Sequence, residues 1–323
     1  MAILMEDSLY ISNSNMKKSS TKILICFITI LLCLYCFDCI LGYVMRYISQ
    51  RNLEKEHCGL NYCLNAATAD IIILGSSSAR ANYIPQLIGD SINSHLGTKY
   101  SVYNTGNTYQ DFPYFYCEMK SLMDRKIPKI VILDLQPWTL SGPTNMSALK
   151  FMRPYYNTNS HVKEVLDDNE TFLHRVLMNF EMYKYNEEFF DLLSSYLYPT
   201  TKYPMGFWAL DGEEKDYEII PENDNREVNP LSKQEFEKTI QIAQNNNVKL
   251  FVSISPYLRY IDRNSPAYKE IVNMCKKYNI PFFDYSNDLE LVKGELFHDT
   301  MHLNKKGATI LTKKVSSELL KSL

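Results

Sequence analysis

Asp70-Ile71-Ile72-Ile73-Leu74-Gly75-Ser76-Ser77-Ser78 is the stretch whose reading decides the fold. After Asp70 come four apolar residues, three of them β-branched, and then Gly75. An uninterrupted apolar run of this length marks a parallel strand buried on both faces. Small polar residues follow the glycine, and Ile84-Pro85-Gln86-Leu87-Ile88 then reads as helical.

The same unit recurs along the chain. Tyr100–Tyr103 leads into Asn104-Thr105-Gly106, and Lys129-Ile130-Val131-Ile132-Leu133 leads into Asp134 and Pro137. Val248–Ile254 ends at Ser255-Pro256, and Ile280-Pro281-Phe282-Phe283-Asp284 forms a shorter last strand. Ser232-Lys233-Gln234-Glu235 has the pattern of a capping box and opens a helix reaching about Asn245. Pro266 begins another helix to about Tyr278, and Asn304 caps a terminal one, Lys305–Leu320. Strands alternating with helices imply an α/β fold with a parallel sheet covered on both faces. Functional residues of such sheets gather at the carboxyl ends of the strands. That rule selects Gly75–Ser78, Asn104–Asn107, Asp134–Trp138 and Ser255–Tyr257. The alternation breaks between about residues 139 and 231. There a mostly helical insertion is expected over or beside the site, with a long amphipathic helix around Thr171–Tyr196 and an acidic loop, Asp211–Asn229.

Ahead of this domain, Ile23–Val44 is a run of 22 residues whose one charge is Asp38. As a helix it spans about 33 Å, the thickness of a bilayer's hydrocarbon core. A cleavable signal peptide is the competitor. However, Asp38-Cys39-Ile40 stands where a small-x-small cleavage site belongs, which favours an anchor. The chain thus divides into a polar tail (1–22), a transmembrane anchor (23–45), a tether (46–69) and a domain (70–323). Lys17, Lys18 and Lys22 on one side nearly balance Arg46, Arg51 and Lys55 on the other. The short polar head makes N-in, C-out the commoner arrangement and places the soluble domain outside the cytoplasm. Asp38 reads as a residue near the outer end of a tilted helix. Cys26, Cys33, Cys36 and Cys39 fall in the run and read as packing or lipid contacts. Cys58 and Cys63 are spaced to close a small disulfide loop. A net charge of −3 supplies no basic field for nucleic acid.

Two segments could carry chemistry. A Ser in the Gly75–Ser78 turn would have an exposed hydroxyl beside the free N–H groups of the next helix. The plainer reading is an ordinary Ser-rich helix cap. A phosphate loop lacks its second glycine and its Lys-Ser/Thr. Near the other end stands His298-Asp299-Thr300-Met301-His302-Leu303-Asn304. His302 has the chemistry to take a proton from a serine, and Asp299 to fix its tautomer. Alternatively the segment only caps the last helix. His298 and His302 also have the i, i+4 spacing of a metal pair, but no third ligand is evident, and no metal is expected.

These segments together resemble the SGNH/GDSL hydrolase superfamily, in the form of its membrane-anchored envelope relatives. Gly75-Ser76-Ser77 is similar to the first block, Asn104-Thr105-Gly106 to the second and Asp299-Thr300-Met301-His302 to the terminal D-x-x-H block. The resemblance implies a flavodoxin-like three-layer sandwich in which Ser77 is the nucleophile, His302 the base and Asp299 its orienting partner. The oxyanion hole would use the backbone N–H groups of Ser77 and Gly106. The family's G-x-N-D block supplies an Asn donor that Leu133–Pro137 lacks, so Gln136 or Asn107 is the candidate substitute. The implied function, which needs no cofactor, is a serine-dependent O-acyl esterase or acyltransferase. It would act on an acylated carbohydrate or another cell-envelope ester. The alternative is a catalytically weak SGNH-like binding or assembly partner of a multi-pass membrane acyltransferase.

Overall fold

The computed structural model describes residues 2–53, 59–108, 110–141, 149–198, 204–215, 217–222 and 225–323. Each apolar run becomes a strand: β1 (Ile71–Gly75), β2 (Val102–Asn104), β3 (Ile130–Asp134), β4 (Lys249–Ile254) and β5 (Phe282–Asp284). All pair in parallel, in the spatial order β2-β1-β3-β4-β5. This is the flavodoxin-like order, whose direction of winding reverses between β1 and β3 and leaves a crevice there. The register aligns the strand ends. Ile73 lies beside Asn104, Gly75 beside Asp134, and Asp134 beside Ser253.

Alternation along the strands separates two cores. Ile72, Leu74, Val131, Leu133, Leu250 and Val252 point to one face, and Ile71, Ile73, Ile130, Ile132 and Phe251 to the other. The first face is covered by the helices Phe112–Arg125, Pro230–Asn245 and Pro266–Lys277, the second by Pro85–Leu96 and Lys305–Ser322. Each fully buried Ile or Leu contributes roughly 1.5–3 kcal/mol, so both layers hold the strand ends in place. The expected α/β architecture with a parallel sheet is therefore present.

Several local expectations change. Helix Phe112–Arg125 is one of the helices expected between strands, but the sequence did not mark its bounds, because its first turns are buried almost all round and show no polar face to read. Helix Pro230–Asn245 starts before Ser232. Asn229 Oδ1 accepts from Leu231 N at 2.9 Å and Ser232 N at 3.3 Å, with Pro230 at the first helical position. The long helix expected over Thr171–Tyr196 is three short ones, Phe172–Leu177, Glu181–Tyr185 and Phe189–Leu197, separated by turns at Asn179 and Asn186. In the acidic loop, Ile220–Glu222 pairs in parallel with Arg259–Ile261.

The N-terminal helix is longer than expected. It runs from Ala2 to Leu53 without interruption, so the tail and the start of the tether belong to the same helix as the apolar run. No proline stands in that span to stop it. Ser20–Asn52 is long and apolar enough to cross a membrane, and most of the run is exposed, including Cys26, Cys33, Cys36 and Cys39. Cys58, one half of the expected disulfide, lies outside the described residues.

Candidate active site

Ser77 is the first residue of a short helix, Ser77–Asn82, entered directly from β1 through Ser76. At that position the backbone N–H has no intrahelical acceptor. His302 arrives from the loop ahead of the last helix. Phe297 and Leu303 form an antiparallel bridge, and His298 N donates to His302 O at 2.9 Å. Asn304 Oδ1 caps the last helix, accepting from Lys306 N and Gly307 N at 3.1 Å each. The loop is fastened to the Ser77 helix by Leu303 N, which donates to Asn82 Oδ1 at 3.0 Å.

These fastenings bring a hydroxyl, an imidazole and a carboxylate into one row. His302 Nε2 is 2.9 Å from Ser77 Oγ, and His302 Nδ1 lies 2.9 and 3.0 Å from the two oxygens of Asp299. An ionised carboxylate can only accept, so Nδ1 carries the proton facing it. Nε2 is then left with its lone pair towards the Ser77 hydroxyl. Asp299 Oδ1 also accepts from Met301 N at 2.7 Å and His302 N at 2.9 Å. Partial burial pushes its carboxyl up, but the hydrogen bonds and charge of His302, with the Met301 N–H, outweigh this and hold it at about 2. Asp299 is thus ionised wherever the imidazole could act as a base. His298 takes no part in this row. Its Nδ1 is 2.6 Å from the backbone carbonyl of Asp211, away from the metal pairing that its spacing allowed.

The candidate oxyanion donors divide. Gly106 N donates to Asn104 Oδ1 at 2.9 Å, so the N–H expected to face the site is already engaged. The cause is an Asx-type turn, in which a short Asn side chain bonds its own backbone two residues on. A side chain on Gly106 would stand 2.5 Å from Arg80 N and 2.9 Å from Ser76 O, so glycine is required there for close approach to the Ser77 helix. Asn104 Nδ2 completes this junction, donating to Ala79 O at 2.8 Å and Tyr83 O at 3.0 Å. Asn107 is turned to Thr108 N and Tyr114 Oη. Gln136, by contrast, lines the cleft with Ser76, Ser77 and His302. Its Nε2 donates to Ser78 Oγ at 2.6 Å, and its Oε1 accepts from Trp138 Nε1 at 2.8 Å. An amide nitrogen carries two N–H groups; one goes to Ser78, and Gln136 also makes a side-chain hydrogen bond with Tyr257.

The cleft has a volume of about 490 Å³. Trp138 and Trp208, the chain's two tryptophans, both line it. Trp138 closes one of the strand ends singled out in the sequence, whereas Trp208 lies in the insertion, far in sequence from any of them. Trp208 is supplied by the insertion. Gly206, at φ +83°, presses on the end of β2, where a side chain would meet Asn104 O at 1.8 Å. Trp208 N then donates to Arg80 O at 2.9 Å. The Trp208 ring lies 6.0 Å from the His302 ring and 5.8 Å from the Arg80 guanidinium carbon. Arg80 is held by this contact and by Asn107 Oδ1.

Neither a protein-family model nor a curated protein matches the sequence. Solved structures to which the chain is similar include the psychrotrophic esterase EstA from a Pseudoalteromonas species. The identity is 11%, the TM-score 0.40, and the match covers 79% of this chain and 97% of that one. The acetyl xylan esterase AlAXEase is similar at 14% identity and TM-score 0.40, over 78% and 100% of the two chains. A lipase/acylhydrolase from Enterococcus faecalis is similar at 11% identity and TM-score 0.40, over 78% and 96%.

Proposed function

We propose that this protein is a serine-dependent O-acyl esterase or acyltransferase acting on acylated carbohydrate, with Ser77, His302 and Asp299 as its catalytic residues. The observation that carries the reading is the unbroken row from the Ser77 hydroxyl through His302 to Asp299. Ser77 Oγ attacks the ester carbonyl carbon as its proton passes to His302 Nε2. The oxyanion meets the Ser77 N–H, with the Gln136 amide beside it as the side-chain donor once it exchanges a bond to Ser78 or Tyr257 for one to substrate. Collapse breaks the ester C–O bond, and the leaving alcohol takes the proton from His302. Water or a sugar hydroxyl then gives a proton to His302 and attacks the acyl-Ser77 carbonyl, which frees the serine.

Two indoles and a polar floor of Ser76, Thr108 and Gln136 favour a sugar ester, because indole faces pack on C–H surfaces while hydroxyls need polar partners. The length and exposure of the Ser20–Asn52 segment support a single-pass membrane anchor, with the domain on the extracytoplasmic side. A second reading has one specific support. The engaged Gly106 N–H removes an expected oxyanion donor, as in a weakly catalytic assembly partner of a multi-pass membrane acyltransferase.

A fluorophosphonate probe applied to the full-length chain in detergent separates the two. The catalytic reading expects covalent labelling of wild type and its loss in His302→Ala, which keeps the hydroxyl but not the base. A folded wild-type chain that resists labelling overturns it and leaves the assembly reading.

A further inference from the structure

The insertion is clamped to the long N-terminal helix. Asp38, inside the apolar run yet 8% exposed, accepts from Glu181 N at 2.8 Å and Met182 N at 2.7 Å. Its carboxylate therefore caps the Glu181–Tyr185 helix, which is a reason for a charge in the run that the sequence alone did not offer. Arg46 pairs with Glu181 at 2.8 Å, and Asn52 Nδ2 donates to Leu192 O at 3.1 Å. Met45 and Ile48 are buried with Tyr185 and Leu192.

The clamp fixes a depth. From Asp38 to Val44, the end of the apolar run, a helix rises about 9 Å. The start of Glu181–Tyr185 therefore lies about that far inside the run. Phe180 and Met182, which flank Glu181, are exposed at this level, as are Phe37 and Ile40 of the N-terminal helix itself. The flanking insertion helices carry further bare apolar side chains, with Phe172 76% and Phe190 77% exposed. Isolated exposed apolar residues are ordinary, but a group of large ones beside a membrane segment is not. Helices seated on a bilayer bury their apolar faces about 5–10 Å below the headgroups, which is the depth that Asp38 sets.

We infer that the helices between Phe172 and Leu197 lie in the headgroup–acyl boundary of the leaflet from which the N-terminal helix emerges. They form a collar with lipid as its occupant. This rests on reading the apolar run Ile23–Val44, within Ser20–Asn52, as the membrane-crossing part of the helix. The same insertion returns through Gly206 to place Trp208 in the cleft, so the collar ties the catalytic cleft to the membrane surface.

The test uses the full-length chain in phosphatidylcholine vesicles whose acyl chains carry quenching bromines either near the headgroup or near the bilayer centre. Phe172→Trp, Phe190→Trp and Ile30→Trp each add one fluorophore, and the wild-type emission of Trp138 and Trp208 is subtracted. The collar predicts loss of most of the added emission at positions 172 and 190, greater with shallow bromines. At position 30 the deep bromines should quench more. Quenching at 30 with none at 172 or 190 overturns the collar while the anchor stands, and the patch then faces water or protein. No quenching at any position overturns both. A circular-dichroism spectrum and melting temperature equal to those of wild type certify that each variant is folded, whether or not the serine reacts.

Discussion

Asp299 and Asp134 both lie at the carboxyl edge of the sheet, and their surroundings drive them in opposite directions. Asp299 sits in a loop with its side chain 44% exposed, accepting two backbone N–H groups and the His302 ring. Its carboxyl is held at about 2. Asp134 ends β3 and is 1% exposed. One of its oxygens accepts from Tyr83 Oη at 2.8 Å and Ser255 Oγ at 2.9 Å, and the other has no partner among the described residues. Burial pushes this carboxyl up to about 7, against the pull of the two hydroxyls and the Ser255 backbone N–H. A carboxylate's part in a site is set by its donors and not by its place on a strand. N–H groups and an imidazole keep Asp299 ionised and aimed at His302. Full burial, which the Tyr83 and Ser255 donors do not offset, leaves Asp134 partly protonated, a knot joining β3, β4 and the end of the Ser77 helix.

If that contrast is correct, the largest effect belongs to Ser77. Ser77→Ala should lower kcat for hydrolysis of a p-nitrophenyl ester by on the order of 10⁶-fold, because no other group forms the acyl intermediate. Asp299→Asn should follow at about 10⁴-fold, since an amide can offer Nδ1 an N–H and so favour the wrong tautomer. A loss of only a few-fold would break the contrast by making Asp299 dispensable. Gln136→Ala sharpens it on the oxyanion side. Removing one donor of developing charge should cost about 10²–10³-fold in kcat with KM little changed. An equal loss expressed in KM alone would mean that Gln136 binds ground-state substrate instead.

The legibility of these parts follows their physics. The three central strands, β1, β3 and β4, were readable because both faces of each are buried, which forces apolar, often β-branched runs closed by turn residues. The Asp299–His302 pair was readable because a carboxylate three residues ahead of its histidine can reach it within a single turn. Gly106 lies just past the end of β2, but its N–H is turned to the Asn104 side chain. The direction of one N–H depends on the Asn104 side-chain rotamer, which no local pattern encodes. Asp38 looked incidental because its partners, the amides of Glu181 and Met182, lie some 140 residues away in sequence. Trp208 reaches the cleft only because Gly206 lets the insertion press on β2. Local chemistry was visible, whereas long-range junctions were not.

The smallest effect on activity, and the closest test of the contrast, belongs to Asp134→Asn. The folded-state value of about 7 lies above the ordinary 3.8 of an unfolded chain. Between those values the folded protein holds one proton more than the unfolded one. The stability from this group is therefore full below 3.8, falls as pH rises, and is gone once pH has passed about 7. The limiting slope is about 1.4 kcal/mol per pH unit. Glu118, pushed to about 8 by burial, adds a slope of the same sign that persists in the variant. The relevant quantity is therefore the difference in melting temperature between wild type and Asp134→Asn, followed from pH 4.5 to 8 in detergent. That difference should swing steadily in favour of the variant as pH rises, with ester hydrolysis at pH 7 little altered. Asp299 adds no slope in this window, because its depressed value stabilises fully above 3.8 and that stability is lost only as pH falls through about 2. If Asp134→Asn instead abolished hydrolysis and left the pH trend unchanged, the roles of the two carboxylates would be reversed. The proton relay would then have to run through β3.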